Sequence, residues 1–409
     1  MTTKAIDPWA SARFMLIAGS LIIAVSLGTR HAFGLFLQPI SLDAGWGRET
    51  FAFAMALQNL VWGAAQPFTG MLSDRIGAGK VILGGAVFYT AGLALMSIPQ
   101  DAAMFSVTAG VLIGLGLSGT TMPIVFGAIS RALPPEKRSM AMGIAMSIGS
   151  FGQFAMLPVV LGLLDGFGWQ SALLILAAIS ALILPLSFAL REGDMSKNPV
   201  DPNDNLTVRE ALREAFGERD FWLLFWGFFA CGFQVVFIAV HLPAYLADEG
   251  IAPGVSTTVL ALIGLFNIAG AYLAGLWGGR RKKPGMLVWL YLGRAAAILA
   301  FVSLPISPWT AYAFGIIMGL FWLSTVPLTN GIVASIFGVR NMAMLGGFVF
   351  FGHQLGSFAG GWLGGWIYDR SGSYDVAWWL AIGLSLIAAA LNAPIREMSM
   401  TNRRAEGTA

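Results

Sequence analysis

The stretch Gly70-Met-Leu-Ser-Asp-Arg-Ile-Gly-Ala-Gly-Lys80 joins two long apolar segments of the chain, residues 51–72 and 81–98. An apolar segment of about 17 to 25 residues is long enough to cross the hydrocarbon core of a membrane as a helix. The stretch itself is rich in glycine and in charged side chains. It therefore predicts a short polar turn between two membrane-spanning helices.

The same apolar pattern recurs along the whole chain, which is 57% hydrophobic and only 11% charged. A soluble domain has about 25% charged residues. We therefore predict an all-α integral membrane protein with 12 transmembrane helices. These predicted spans, numbered 1 to 12 in chain order, are residues 14–37, 51–72, 81–98, 104–128, 140–163, 171–190, 221–246, 257–277, 286–304, 311–336, 345–367 and 376–393. Cys231 is the one cysteine, so a disulfide framework is excluded.

The basic residues indicate how the chain is oriented. Of the 24 Lys and Arg residues, 20 fall in loops and tails on the side of the N-terminus, and two, Arg48 and Arg370, fall on the other side. Basic loops accumulate on the cytoplasmic side of a membrane. Both termini are therefore predicted in the cytoplasm, with the chain in a bacterial cytoplasmic (inner) membrane. Topology accounts for the basic residues, so we expect the lipid bilayer as a partner and no nucleic acid.

One long connection, residues 191–220, divides the chain into two units of six spans, residues 1–190 and 221–409. Within it, Thr207-Val-Arg-Glu210 has the spacing of a capping box, which begins a helix. We expect a short amphipathic helix at the cytoplasmic surface. It would serve as a spacer between the units or have a regulatory role.

The two units also resemble each other. Arg138-Ser-Met-Ala-Met recurs as Arg340-Asn-Met-Ala-Met, which is 340 − 138 = 202 positions later. Internal repeats of this kind are typical of secondary transporters, whose binding sites lie near the midplane of the membrane. The pattern therefore favours a duplicated six-helix unit.

The stretch from Gly70 to Lys80 resembles the signature loop of the major facilitator superfamily, between the second and third spans. The resemblance implies two pseudo-symmetric six-helix bundles, with spans 1, 4, 7 and 10 around a central cavity and spans 3, 6, 9 and 12 outermost. It also implies gating residues at this loop, namely Gly70, Asp74 and Arg75. Asp74 would accept hydrogen bonds from a helix end, and Arg75 would pair nearby, until rocking of the halves breaks these contacts.

A second stretch, Pro135-Glu-Lys-Arg-Ser-Met-Ala-Met-Gly-Ile-Ala-Met-Ser-Ile-Gly149, resembles the fifth-span signature of the monocarboxylate transporter family. Ser147-Ile148 replaces the Ala-Gly pair of that family. The acidic-glycine motif that begins the first span of the animal members is absent. The resemblance is thus to distant bacterial relatives, including the oxalate/formate exchangers, and it does not carry over a substrate.

Charge inside the predicted spans is entirely positive. All 21 Asp and Glu residues fall outside them, whereas Arg30 and Arg294 fall inside. A charge at the centre of a membrane costs about 2.5–3.5 kcal/mol and marks a functional candidate. Arg30, in a cavity-lining span by the resemblance, is predicted to bind an anion or to gate, with snorkelling to the surface as the alternative. Arg294, in the outer span 9, is expected to pair with carbonyl groups or neighbouring loops.

Two histidines are candidates for binding the cargo and for carrying a proton. His31 falls near the position of a first-span lysine in animal monocarboxylate transporters. His353, followed by Gln354, falls where the oxalate/formate exchangers have a substrate-binding lysine. A histidine titrates in the physiological range, so it can be cationic with the cargo and neutral without it. The alternative for His353 is a buried histidine that bonds a neighbouring helix.

The remaining candidates follow from position alone. The arginine that the family carries in span 8 would fall near Ala271, where this chain has no charge, but Asn267 and Tyr272 could bond a carboxylate. Thr121 and Trp322 are cavity candidates by helix number. His241, near the end of span 7, is either a gate contact or an interfacial residue.

These observations predict a secondary transporter of a small organic monocarboxylate, coupled to H⁺ by symport and working by alternating access. The alternatives are a mono- or dicarboxylate exchanger and an exporter of hydrophobic compounds or siderophore-like metabolites. Without intramembrane carboxylates a Na⁺ site is disfavoured, and no phosphate-binding loop indicates use of ATP. We expect no enzyme activity, cofactor or metal, and we expect a monomer.

Overall fold

The computed structural model describes residues 8–46, 48–98, 101–191 and 206–407, and within these ranges every regular element is helical. Spans 1 to 6 lie in Pro8–His31, Ala32–Phe36, Leu37–Ala44, Arg48–Ile76, Ala78–Met96, Ala102–Phe105, Ser106–Leu112, Ile113–Thr120, Met122–Ala132, Pro135–Ala181, Ile183–Ser187 and Phe188–Leu190. Spans 7 to 12 lie in Arg219–Asp248, Pro253–Gly278, Lys283–Ser303, Pro308–Phe321, Thr325–Phe337, Met342–Ser371 and Asp375–Asn392. Two short helices, Val208–Gly217 and Met400–Gly407, flank the second set.

The helices account for the twelve predicted membrane passes. Nine stretches of the described residues are long and apolar enough to cross a membrane. One of them, Pro135–Leu190, turns at Gly168, where φ is 74°, and so makes two passes. Arg48–Ile76 and Met342–Ser371 have 29 and 30 residues, which is also enough to cross. The nine stretches, one extra pass from the turn and these two helices make twelve.

Most of the predicted linker, residues 192–205, lies outside the described residues, but the helix that follows has the predicted capping box. The Thr207 side chain accepts from the Glu210 amide at 3.3 Å, and the Glu210 carboxylate accepts from the Thr207 amide at 2.7 Å. Phe216 of this helix packs edge-on against Phe348, with 5.2 Å between the ring centroids. The linker helix is therefore docked on the second six-span unit.

Spans 4 and 10, which the sequence predicts as continuous helices, are both interrupted. In span 4, Thr121 has an extended backbone, with φ −111° and ψ −170°. In span 10, residues 322–324 separate the two helices of that span. Adding the repeat offset of 202 to 121 gives 323, so the interruptions occupy repeat-related positions. Such breaks are tolerated in a membrane where the protein itself satisfies the freed backbone groups.

The two six-span halves approach each other closely at one end of the bundle, here named the linker face. The linker face consists of residues 70–80, 131–143, 275–283 and 338–344. A Cβ placed on Gly70 would lie 2.3 Å from the Ala343 carbonyl oxygen, so span 2 crosses span 11 at a distance that only glycine allows. A Cβ on Gly143 would lie 2.5 Å from the Gly275 Cα, so span 5 crosses span 8 in the same way. These two crossings close the linker face.

Candidate functional site

Arg30 lies in the last turn of the helix Pro8–His31 and is partly buried. Its Nη2 donates to Asn59 Oδ1 in span 2, and its guanidinium carbon lies 5.2 Å from the centroid of the Trp62 ring. Asn59 Nδ2 donates to the Met55 carbonyl oxygen at 3.1 Å, which directs the amide oxygen toward Arg30. The Nε of Arg30 is buried and has no hydrogen-bond partner in the described part of the chain. Arg30 is therefore a cation that bonds a neutral amide and has one buried N–H donor, at Nε, without a partner.

Arg294 has the opposite surroundings. It is fully buried, and its Nη2 donates to the Phe321 carbonyl oxygen at 2.7 Å and to the Trp322 carbonyl oxygen. Its Nε bonds the Phe321 carbonyl at 3.1 Å, and its Nη1 bonds Gln234 Oε1 at 3.3 Å. These carbonyl groups end the helix Pro308–Phe321 and have no partner within it, and the end of a helix that carries free carbonyls favours a cation. Arg294 makes the carbonyl contacts expected from the sequence, and each of its three nitrogens has a partner.

Gln354, which follows His353 in the chain, is linked to Arg30 through Asn59. The His353 Nδ1 is 3.4 Å from Gln354 Oε1 and 3.4 Å from Ser357 Oγ. Gln354 Nε2 donates to the Asn59 carbonyl oxygen at 3.4 Å, so it joins span 11 to span 2 across the two halves. The structure thus brings together three residues that the sequence predicts for the site.

Beside this group, the side chains form an aromatic wall that consists of Trp62, Phe350, His353 and Phe228. The Trp62 and Phe350 rings are 5.0 Å apart between centroids, and Phe350 stacks on His353 at 5.4 Å and 8°. The ring centroids of Phe228 and His353 are 4.9 Å apart. A cation next to an apolar wall can hold a small anion that has an apolar body.

Thr121 and Asn267 are fully buried, and protein groups occupy their polar atoms. Thr121 Oγ1 accepts from Trp62 Nε1 at 3.2 Å. Asn267 Nδ2 donates to Ser150 Oγ at 2.8 Å, and Asn267 Oδ1 accepts from the Leu323 amide at 2.9 Å. Both residues lie at or against the interrupted spans and help to satisfy the backbone there.

Three other predicted residues differ in exposure. Trp322 begins the interruption of span 10 and has 8% of its surface exposed. Tyr272 has 43% of its surface exposed. His31 is exposed as well, although Arg30 beside it is partly buried. Only Trp322 of the three is packed inside the bundle.

His241 is bonded within the second half. Its Nε2 lies 2.9 Å from the Gly361 carbonyl oxygen, and its Nδ1 lies 3.3 Å from the Tyr374 hydroxyl. A neutral imidazole satisfies both contacts, since it donates to the carbonyl and accepts from the hydroxyl. These bonds join spans 7 and 11 to the residue that precedes span 12.

On the linker face, Asp74 of the first half bonds the second half. Its carboxylate accepts from the Met344 amide at 2.8 Å and from the Ala343 amide at 3.3 Å, at the beginning of Met342–Ser371. The cation on Asp74 is Arg131 of span 4, at 2.7 Å, whereas the Arg75 side chain is exposed. The pKa of Asp74 is raised to about 7, because the effect of burial outweighs the lowering effects of Arg131 and the two amides. These three donors therefore favour the ionised form of the carboxylate in the closed contact.

Comparison with known proteins identifies the family to which this arrangement belongs. The sequence matches the Major Facilitator Superfamily model over residues 16–344 and 250–407. The chain belongs to this superfamily. An uncharacterized MFS-type transporter of Bacillus subtilis, YcxA, is 23% identical over 380 residues, which are 88% of this chain and 90% of that protein. Monocarboxylate transporter 11 of Mus musculus is 26% identical over 373 residues, 88% of this chain and 82% of that one.

Solved structures of the superfamily show the same fold. The crystal structure of the MFS transporter FucP in the outward conformation has a TM-score of 0.74 and 15% identity, and the match covers 94% of this chain and 100% of that one. The predicted fold class and the resemblance to the superfamily are thereby confirmed. The chain is a multi-pass membrane transporter and not an enzyme.

Three residues of the site were missed by reasoning from the sequence of this superfamily member. Asn59 holds Arg30, Arg131 holds Asp74, and Ser150 holds Asn267. Asn59 carried a usable signal, because an amide inside an apolar span needs a partner in the membrane. Arg131 falls just beyond the predicted end of span 4, where it reads as an ordinary loop cation. Ser150 had no distinguishing signal.

Proposed function

We propose that this transporter carries a small organic monocarboxylate by alternating access, coupled to H⁺ by symport. The observation that carries the proposal is the environment of Arg30. Its buried Nε has no hydrogen-bond partner, and no carboxylate of the described residues contacts it. A guanidinium holds a carboxylate through two parallel hydrogen bonds, and the pair strengthens where water is excluded. Similarity to proteins named monocarboxylate transporters supports the same class of cargo.

The surroundings of the two arginines favour one carboxylate over two. Each nitrogen of Arg294 is bonded to protein oxygen, so this cation has little to offer a ligand. Arg30 is then the one intramembrane arginine with an unpartnered donor in the described ranges. The aromatic wall beside it would contact the apolar body of the cargo. An anion with one carboxylate and an apolar remainder fits this arrangement best.

The proposed cycle uses the closed linker face as one of its two end states. We assign the linker face to the cytoplasm, on the distribution of basic residues, so cargo would enter from the opposite side. Gly70 and Asp74 would close the cytoplasmic side until the halves rock, with Arg75 exposed on the same loop. His353 would be the proton carrier near the cargo, and His31 is a second candidate. The remaining residues proposed to surround the cargo are Thr121, Asn267, Tyr272, Trp322 and Gln354, with His241 as a contact near the outer gate.

Purified protein in liposomes tests this function. With radiolabelled acetate, L-lactate, benzoate or oxalate outside, we expect at least one monocarboxylate to accumulate above its level in protein-free liposomes when the outside is more acidic than the inside. This accumulation should need no anion inside. Uptake that occurs only against internal anion would replace symport by exchange. Movement of neutral hydrophobic compounds without any carboxylate flux would contradict the proposal.

Replacing His353 with alanine should flatten the dependence of uptake on external pH. The reason is that the proton near the cargo would lose its carrier. Initial uptake rates at a series of external pH values measure the effect. Ser357→Ala is the matched control, since it removes a neighbour that lies 3.4 Å from His353 Nδ1 but removes no titratable group. An unchanged profile in His353→Ala would reduce His353 to a packing residue.

A further inference from the structure

One side chain connects the interruption of span 10 to the opposite half of the bundle. Asn267, in span 8, accepts a hydrogen bond from the Leu323 amide, which lies inside the interruption. The Nδ2 of Asn267 donates to Ser150 Oγ in span 5, which belongs to the first half. Ser150 Oγ itself donates to the Met146 carbonyl oxygen at 2.9 Å, so it is left as the acceptor for Asn267. All three groups are buried, and no solvent competes for these bonds.

The interruption is held from its other side by Arg294, which bonds the Phe321 and Trp322 carbonyl oxygens. Span 8 lies directly against span 10 beside the interruption, since a Cβ on Gly270 would be 2.1 Å from the Leu320 carbonyl oxygen. The freed backbone groups of span 10 thus have two kinds of partner. Arg294 belongs to the same half as span 10 and moves with it. The Asn267 contact is the one that also reaches across to the first half.

We propose that Asn267 is a positioning residue that ties the shape of span 10, at Trp322 and Leu323, to the contact between the halves. When the halves rock apart along spans 5 and 8, Asn267 loses Ser150 and its amide group is free to reorient. The Leu323 amide then loses its fixed acceptor, and the backbone beside Trp322 changes with the state of the transporter. The backbone shape of span 10 at the cavity would in this way depend on whether the halves are in contact.

The chain offers a matched pair of variants for the test. Ser147 also makes one hydrogen bond from span 5 to span 8, from its Oγ to the Ile268 carbonyl oxygen at 2.8 Å. Ser150→Ala and Ser147→Ala therefore each remove one bond across the same contact, but only Ser150 bonds the side chain that holds Leu323. The reporter is Cys231, the one cysteine, which is fully buried and lies 3.3 Å from the hydroxyl of Thr325, the first residue after the interruption.

The measurement is the rate at which methyl methanethiosulfonate modifies Cys231 in the purified full-length protein, followed by intact mass, with Cys231→Ser as the blank. Loss of one buried hydrogen bond should raise the rate about fivefold in Ser150→Ala. Ser147→Ala should stay within about twofold of the unmodified sequence, because its bond does not reach the interruption. In Asn267→Ala, Cys231 should react at least as fast as in Ser150→Ala. The double variant Asn267→Ala/Ser150→Ala should react at the same rate as Asn267→Ala.

Equal rates in the two serine variants would overturn the proposal, because span 10 would then respond only to a general loosening of the halves. An additive effect of Asn267→Ala and Ser150→Ala would overturn it as well. The measurement uses no cargo, so its outcome is independent of whether the protein carries a monocarboxylate.

Discussion

Replacing Arg30 with glutamine is expected to lower carboxylate uptake by at least about 100-fold, because two charge-assisted hydrogen bonds of about 1.5–3 kcal/mol each are lost. Glutamine keeps a polar side chain of similar reach but has no charge to balance the cargo. The protein should still insert and fold, since Arg30 gives the fold one hydrogen bond, to Asn59, and a contact with Trp62. Initial uptake rates in liposomes and the elution profile in detergent measure the two effects.

Two further variants make this result specific. Arg30→Lys keeps the charge but loses the planar pair of donors, so it should retain uptake at a level between the two extremes. Arg280→Gln makes the same substitution at an exposed arginine of the linker face and should leave uptake unchanged. Normal uptake in Arg30→Gln would remove Arg30 from the mechanism and, with it, the main support for an anionic cargo.

Replacing Gly70 with alanine is expected to prevent the linker face from closing. The added Cβ would lie 2.3 Å from the Ala343 carbonyl oxygen and 2.7 Å from the Met344 amide nitrogen, and both are backbone atoms that a side-chain rotation cannot move. Overpacking of this kind costs about 1–3 kcal/mol, which shifts the balance between closed and open linker face roughly 5- to 150-fold. Uptake should fall by a similar factor, because each cycle passes through the closed state.

Spin labels measure the closure directly. Arg75 and Arg280 are exposed on the linker face, one in each half, so Arg75→Cys and Arg280→Cys in a Cys231→Ser background provide two labelling sites. The distance between the labels should lengthen in Gly70→Ala. Gly84→Ala is the matched control, since a Cβ on Gly84, also inside a membrane span, meets no atom within 4 Å. If Gly70→Ala gave the same distances and uptake as Gly84→Ala, the crossing of spans 2 and 11 would not control closure.

Much of the fold could be predicted because the decisive signals are local. An apolar run of sufficient length crosses a membrane wherever it occurs in the chain, and Thr207 and Glu210 begin a helix through contacts three residues apart. The interruptions at Thr121 and at residues 322–324 could not be predicted in this way. They persist because distant side chains satisfy the freed backbone groups, among them Gln66 at span 4 and Asn267 and Arg294 at span 10.

The candidate site shows the same division. The sequence placed Arg30, His353 and Gln354 in the site on charge and resemblance. In the structure His353 contacts Gln354, which is linked to Arg30 through Asn59. The ion pair of Asp74 with Arg131 was not predicted, since Arg75 is adjacent in the chain and Arg131 is separated from Asp74 by 57 positions.

The sequence by itself determined that this chain spans a membrane many times, that its loops carry its negative charge and that two arginines lie in its interior. These are properties of composition and order, and the stretch from Gly70 to Lys80 adds the superfamily. Only the tertiary structure decided which groups surround each arginine. Arg294 meets the carbonyl oxygens of a helix end brought to it by packing, whereas Arg30 meets a single amide oxygen. A buried cation is available to cargo only to the extent that its neighbours leave its donors unpaired, and packing decides which neighbours it has.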